Sequence, residues 1–180
     1  TKNRNLFRIN LFILLQLPAW FRFFSRFRRT KKRLLVIKTD AIGDYILFRN
    51  FLEVLKTSAA YKDYRIDLLG NLLWKDVSLK YDTAWTSNSI FIKAEALYEA
   101  PLQTIKTGWA LFINNYEIVL QPTFSRTLIT DGLAALTAAE VIIGFESDIE
   151  RITPKYKNKT DRCYTRLLHL PSGVHFEFDR

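Results

Sequence analysis

The chain predicts an α/β fold: an open parallel sheet with helices on both faces. Three observations carry this. Short apolar runs, at 34–38, 65–69, 117–121 and 141–144, alternate with segments of helical periodicity. That alternation requires crossover connections, which make neighbouring strands parallel. Finally, 180 residues are enough for one such domain plus an appendage.

In chain order, the first element is a basic arm, residues 1–33. Ten of the 27 Lys and Arg residues fall there and none of the 18 acidic ones, so the rest of the chain is close to neutral. The excess charge is local, which argues against a basic domain that grips nucleic acid. The apolar run Leu11–Phe21 is broken by Gln16 and Pro18 and is too short to span a bilayer, which takes about 20 residues. No small-residue cleavage site follows it, so a secretory signal is not expected. Aromatic residues interleaved with arginine suit a helix lying in a lipid interface. Trp20, Phe21, Phe23, Phe24 and Phe27 would insert, and Arg22, Arg26, Arg28 and Arg29 would meet an anionic membrane surface. The competing reading is a helix packed on its own domain.

The domain proper is expected over 34–180. Leu34–Lys38 reads as a central strand buried on both faces. Residues 42–56 form a helix by the spacing of Ile46, Leu47, Phe51, Val54 and Leu55. Arg65–Leu69 is a second strand, 71–80 a weaker helical stretch, and 82–93 holds a short strand, either near its start or around Ile90–Ile92. Residues 98–114 form a helix with Leu102, Ile105, Trp109, Phe112 and Ile113 on one face. Glu117–Gln121 is a strand, 126–139 an Ala- and Leu-rich helix, and Val141–Gly144 a strand. Residues 146–162, polar and Lys-rich, read as a mobile loop, with a last strand at 164–170.

Chemistry is expected beyond the carboxyl ends of the strands, at 39–44 (TDAIGD) and 121–126 (QPTFSR). Neither the dinucleotide pattern G-x-G-x-x-G nor the Walker pattern is present, so a nucleotide-binding reading is weak. Asp40 can cap the following helix, Gly43 can supply a close turn, and Asp44 sits in the first helical turn. Asp44 is then either a dipole-stabilising residue or a catalytic carboxylate. Ser125 and Arg126 can hold a phosphate or sugar hydroxyl, or serve as helix cap and solvated arginine. His169, His175, Lys155, Lys157 and Lys159 read as structural or solvated residues. Cys163 is the single cysteine, and no Cys/His cluster spells a metal site. No cofactor is called for.

The run LLVIKTDAIGDYILFRNFLEVLK resembles the opening of glycosyltransferase family nine, the ADP-heptose:lipopolysaccharide heptosyltransferases. YEIVLQPTFSRTLI, VIIGFES and YTRLLHLPSGVHFEFDR are similar to later family stretches, in the same order. Pro122 departs from the family's usual Gly and Glu117 from its usual Asp. The resemblance implies a Rossmann-like domain, the N-terminal half of a GT-B architecture, that binds the acceptor. A C-terminal donor domain, absent from this chain, would bind the nucleotide-sugar. It implies inverting transfer of a heptose-like sugar to a lipid-linked or lipopolysaccharide-type glycan acceptor, with Asp44 as general base and no metal. Lys38, Thr39, Asp40, Gly43, Ser125 and Arg126 would be the acceptor-binding residues, at the inner face of the cytoplasmic membrane. The alternative is a membrane-associated interaction domain in which Asp40 and Asp44 only cap a helix.

Overall fold

The computed structural model describes residues 3–29 and 31–169. His175 and the end of the last family-like stretch lie outside them. The strands are β1 (Lys31–Lys38), β2 (Arg65–Asn71), β3 (Asn88–Ile92), β4 (Tyr116–Gln121), β5 (Val141–Phe145) and β6 (Arg166–Leu168). The helices are α1 (Arg4–Ser25), α2 (Ile42–Phe48), α3 (Asn50–Thr57), α4 (Lys75–Tyr81), α5 (Pro101–Ile113), α6 (Leu128–Leu136) and α7 (Pro154–Thr160). All strands are parallel, in the order β3-β2-β1-β4-β5-β6. This is the Rossmann-like α/β sheet the alternating pattern predicts. The order in which strands are added reverses between β1 and β4, so the crossovers from these two strands leave to opposite faces and open a crevice at the carboxyl edge.

Two apolar layers hold the sheet. On one face, Leu35 and Ile37 of β1 pack with Val119, Ile142, Leu111 of α5 and Leu133 of α6. On the other, Leu34 and Val36 pack with Tyr45 of α2, Leu52 and Leu55 of α3, and Trp74. Strand β1 is central, with Leu34–Lys38 buried throughout, as its unbroken apolar run requires.

Helix α1 is not a separate arm. Asn3 caps it, accepting from the Asn5 and Leu6 N–H groups. It runs 22 residues, through Pro18, long and apolar enough to cross a membrane by length and composition. Instead, Ile13, Leu14, Pro18 and Phe21 are buried against α5 and α6. A Cβ on Gly132 of α6 would lie 2.5 Å from Leu14 Cδ2, so glycine allows the close approach of the two helices. Asn10 donates to the Leu97 carbonyl at 2.6 Å. Phe21, expected to insert in lipid, stacks on Phe112 with 4.3 Å between ring centroids. The core therefore begins before residue 34, and β1 itself starts at Lys31.

Other expectations change too. The helix expected over 42–56 is interrupted at Arg49, which keeps helical dihedrals (φ −55°, ψ −34°). Its buried side chains are Tyr45, Leu52 and Leu55, while Ile46, Leu47, Phe51 and Val54 are exposed. Tyr45 sets this rotation: its ring lies flat on Trp74, 3.6 Å between centroids, and its hydroxyl donates to Asp82 at 2.5 Å. In α5 the outward residues are Leu102, Ile105, Trp109 and Ile113, and of the predicted core face only Phe112 is buried. The stretch 146–162 is not a free loop. It contains α7, buries Ile152 and is pinned at Thr160 and Asp161.

Candidate functional site

The two switch-point loops meet as expected, through a network running back from the edge. Lys38, the last residue of β1, is buried, with Nζ 2.9 Å from Asp40 Oδ2. The same Asp40 oxygen accepts from Thr123 Oγ1 at 2.8 Å, which ties the loop after β1 to the loop after β4. The Asp40 carbonyl accepts from Trp74 Nε1 (3.0 Å) and the Thr39 carbonyl from Asn71 Nδ2 (2.8 Å). Asp40 is thus occupied as a loop brace and does not cap α2. The N-cap is Ala41, with no side-chain capping bond.

In front of this brace lies a cleft of about 500 Å³, between α2–α3 and the exposed face of β4, β5 and β6. Its floor is apolar: Leu120, Ile143, Phe145 and Leu168 from the strands. Leu47, Phe51 and Leu55 form the wall on the helix side, which explains why Leu47 and Phe51 lie exposed on α2 and α3. Gln121, Pro122 and Phe124 close the edge. Lys38 reaches the cleft beneath Phe48, whose ring centroid is 5.4 Å from Nζ.

Asp44 lines this cleft and is half-buried. Among the described residues it has no hydrogen-bond or ion-pair partner. A carboxylate left uncommitted at a helix start, beside an apolar wall, is available to a ligand. Gly43 precedes it with ordinary helical backbone, and a Cβ there would meet nothing within 4 Å. Gly43 therefore does not serve a tight turn; the space beside it is open.

Arg126 differs most from expectation. Its side chain is fully buried, between Asp131 (3.3 Å) and a close contact with Asp161, with the guanidinium 4.4 Å over the Tyr164 ring. Burial alone lowers its pKa, but Asp131, Tyr164 and Asp161 outweigh that and hold it above its ordinary value. Asp161 sits below the usual carboxylate range: donors from Lys157 and Arg126 overcome the cost of its burial. Tyr164 donates to Asp131 (2.7 Å) and lies against the Gln121 side-chain oxygen. This cluster locks α6, α7 and β6 together, and Arg126 does not reach the cleft. Nor does Ser125 cap α6. Its hydroxyl donates to Asp148 (2.6 Å), and Thr127 forms the capping box with Thr130.

The structure therefore brings Lys38, Asp40 and Asp44 together and sends Ser125 and Arg126 elsewhere. Lys155 and Lys159 are solvated, Lys157 pairs with Asp161 (2.8 Å), and His169 pairs with Glu146 on the surface. The sequence reading gave no site role to the cleft residues Tyr61, Phe145 and Arg166. Arg166, on β6, has no carboxylate partner among the described residues. Only its place at a parallel-strand end marks it, and β6 is too short for periodicity to reveal. Among the described residues no His, Cys, Asp and Glu side chains group into a metal site.

No family model and no curated protein matches the chain by sequence. Among solved structures, the chain is similar to E. coli ADP-heptose LPS heptosyltransferase II, with a TM-score of 0.51 and 14% identity. The match covers 64% of this chain and 31% of that one. The likeness establishes a shared fold, a Rossmann-like sheet of the kind found in a glycosyltransferase.

Proposed function

We propose that this chain is the acceptor-binding half of an inverting glycosyltransferase, with Asp44 as general base. The single observation that carries this is Asp44 itself: an unpartnered carboxylate facing the cleft at the topological switch point. Neither acid caps α2, whose N-cap Ala41 makes no side-chain bond; Asp40 is committed to the loop brace, and Asp44, in the first helical turn, is the acid that faces the cleft. The fold likeness to a heptosyltransferase supports the reaction class and a heptose-like sugar.

The chemistry is a single displacement. Asp44 takes the proton of an acceptor hydroxyl held within about 3 Å. The hydroxyl oxygen bonds the anomeric carbon as that carbon's bond to the nucleotide diphosphate breaks. The leaving group departs with the electron pair and the configuration inverts. The protein's part is to position the hydroxyl and lower the cost of its ionisation. Arg166 lies at the cleft to meet an anionic group of the acceptor, a lipopolysaccharide-type or other envelope glycan, and Lys38, paired with Asp40, holds the loop behind it. The donor would be held by a second domain facing the cleft, and the assembly would work at the inner face of the cytoplasmic membrane. No metal or cofactor enters this scheme.

The test is transfer by the chain together with its donor-binding half, using a nucleotide-heptose and a lipopolysaccharide-core acceptor. Asp44→Asn is expected to lower turnover at least about a hundredfold, the scale of general-base catalysis, with an unchanged far-ultraviolet spectrum. Turnover near the parent rate overturns the assignment.

A further inference from the structure

We propose that α1 and α5 together form one face that docks on an anionic bilayer. The proposal extends the membrane reading of α1 to a second helix and so rests on that reading. The periodicity of α5 places Leu102, Ile105, Trp109 and Ile113 on one side, and the structure turns that side to solvent. Leu102 is 75% exposed, Ile113 58% and Trp109 53%. A core helix of a finished domain does not leave such a row in water.

Helix α1 lies beside it and does the same. Trp20 is 63% exposed and Phe27 at its end 79%, with Phe23 and Phe24 also open. The two rows meet at Trp109, whose ring packs edge-on against Phe21 of α1 at 6.0 Å while remaining half in solvent. The face is therefore continuous across both helices.

Charge selects the occupant. Neither α1 nor α5 contains an acidic residue. Arg4, Arg8 and Arg22 lie on α1 itself and Arg26 caps its end, with Arg8, Arg22 and Arg26 exposed. Near the end of α1, Arg22, Arg26 and Arg28 line a second cavity of about 400 Å³, bounded by Asn115, Ala138 and the exposed Glu140. The cavity is wide enough for a phosphate headgroup beside the inserted rings. Exposed tryptophans within apolar rows, beside arginines, are the composition of an interfacial surface. A second copy of this face would set its cations against their own kind.

The consequence is an orientation. Helices α1 and α5 lie on the opposite face of the sheet from α2 and α3. Docked, the sheet lies along the bilayer with a helix layer, about 10 Å thick, beneath it. The cleft then opens on the far side, toward a glycan that stands clear of the headgroups.

The experiment is vesicle co-sedimentation of the full chain with phosphatidylglycerol-containing and pure phosphatidylcholine vesicles. Three proteins are compared: the parent, Trp20→Glu on α1, and the double variant Leu102→Glu/Ile113→Glu on α5. Circular dichroism checks that each is folded, since none of these side chains is in the core. The expected result is binding to the anionic vesicles only, weakened at least about tenfold by either change. Loss with Trp20→Glu but not with the α5 variant leaves the α1 reading standing and overturns the two-helix face. No binding by the parent overturns both. A vesicle-free dimer in sedimentation velocity, abolished by the α5 variant, assigns the face to self-association and likewise overturns the proposal.

Discussion

Lys38 and Asp40 form a buried ion pair, 2.9 Å from Nζ to Oδ2, at the point where the strand order reverses. The pair is completed by Thr123 from the facing loop. A buried pair of this kind adds little stability as a unit but is costly to break, because one charge is left alone. Asp40→Ala is therefore expected to destabilise the domain by about 3–5 kcal/mol, and Thr123→Val by only about 1 kcal/mol, the cost of one hydrogen bond. Urea unfolding midpoints check both. Equal losses would mean that the brace depends on the hydroxyl and not on the charge.

The Arg126 cluster makes a similar prediction at the other end of the sheet. Arg126→Met removes the countercharge of Asp131 and Asp161 while keeping an apolar stem beneath Tyr164. A loss of about 3–5 kcal/mol is expected, with α7 and β6 the first elements to lose protection in hydrogen exchange. Uniform loss of protection would show that the cluster does not act on that subunit of the fold.

Asp161 gives the acid limb of stability its sign. Its pKa in the fold is depressed below the unfolded value of about 3.9. Its contribution is therefore present above that value and is lost as pH falls through the folded one. Asp131 moves the other way, raised by burial, so the acid limb of the parent holds both effects. Asp161→Asn is expected to flatten the fall in melting temperature below about pH 4 and to lower it at pH 7. An acid limb of unchanged steepness in the variant would refute the assignment.

Helix α1 belongs to the core, and three variants test it. Gly132→Ala drives a Cβ to 2.5 Å from Leu14 Cδ2 and 2.8 Å from its Cβ. The overpacking is expected to cost about 1–3 kcal/mol, and Leu14→Ala in the same chain should recover part of it. Removing residues 3–29 uncovers the partners of Ile13, Leu14 and Phe21, each worth about 1.5–3 kcal/mol, so the truncated domain should unfold or aggregate. A truncated domain with parent-like melting would mean that α1 only rests on the surface.

The sheet was readable because buried parallel strands carry unbroken apolar runs, and both switch-point loops follow such runs directly. That is why Lys38, Asp40 and Asp44 could be placed at the loop after β1 from sequence, although their roles could not. Helix orientation was not readable in the same way. Periodicity finds an apolar stripe but does not say whether it faces the sheet. In α2 and α3 the stripe faces a cleft, because Tyr45 is committed to Trp74 and Asp82. In α5 it faces solvent, because the small residues Thr104, Thr107 and Gly108 pack inward, and Gly108 leaves room for Leu136. Arg126 was misplaced for a third reason. An arginine after a strand looks solvated until its partners are known, and Asp161 and Tyr164 lie more than thirty positions away.

The separation of 87 positions between Asn10 and the Leu97 carbonyl it binds has a meaning in time. Synthesis at about 5–20 residues per second places the two groups in reach only after some 4–17 s. The partners of Ile13, Leu14 and Phe21 come later still, since α5 spans Pro101–Ile113 and α6 Leu128–Leu136. Helix α1 precedes every strand in the chain and is among the last elements to be covered, so its final packing waits on the far half of the domain.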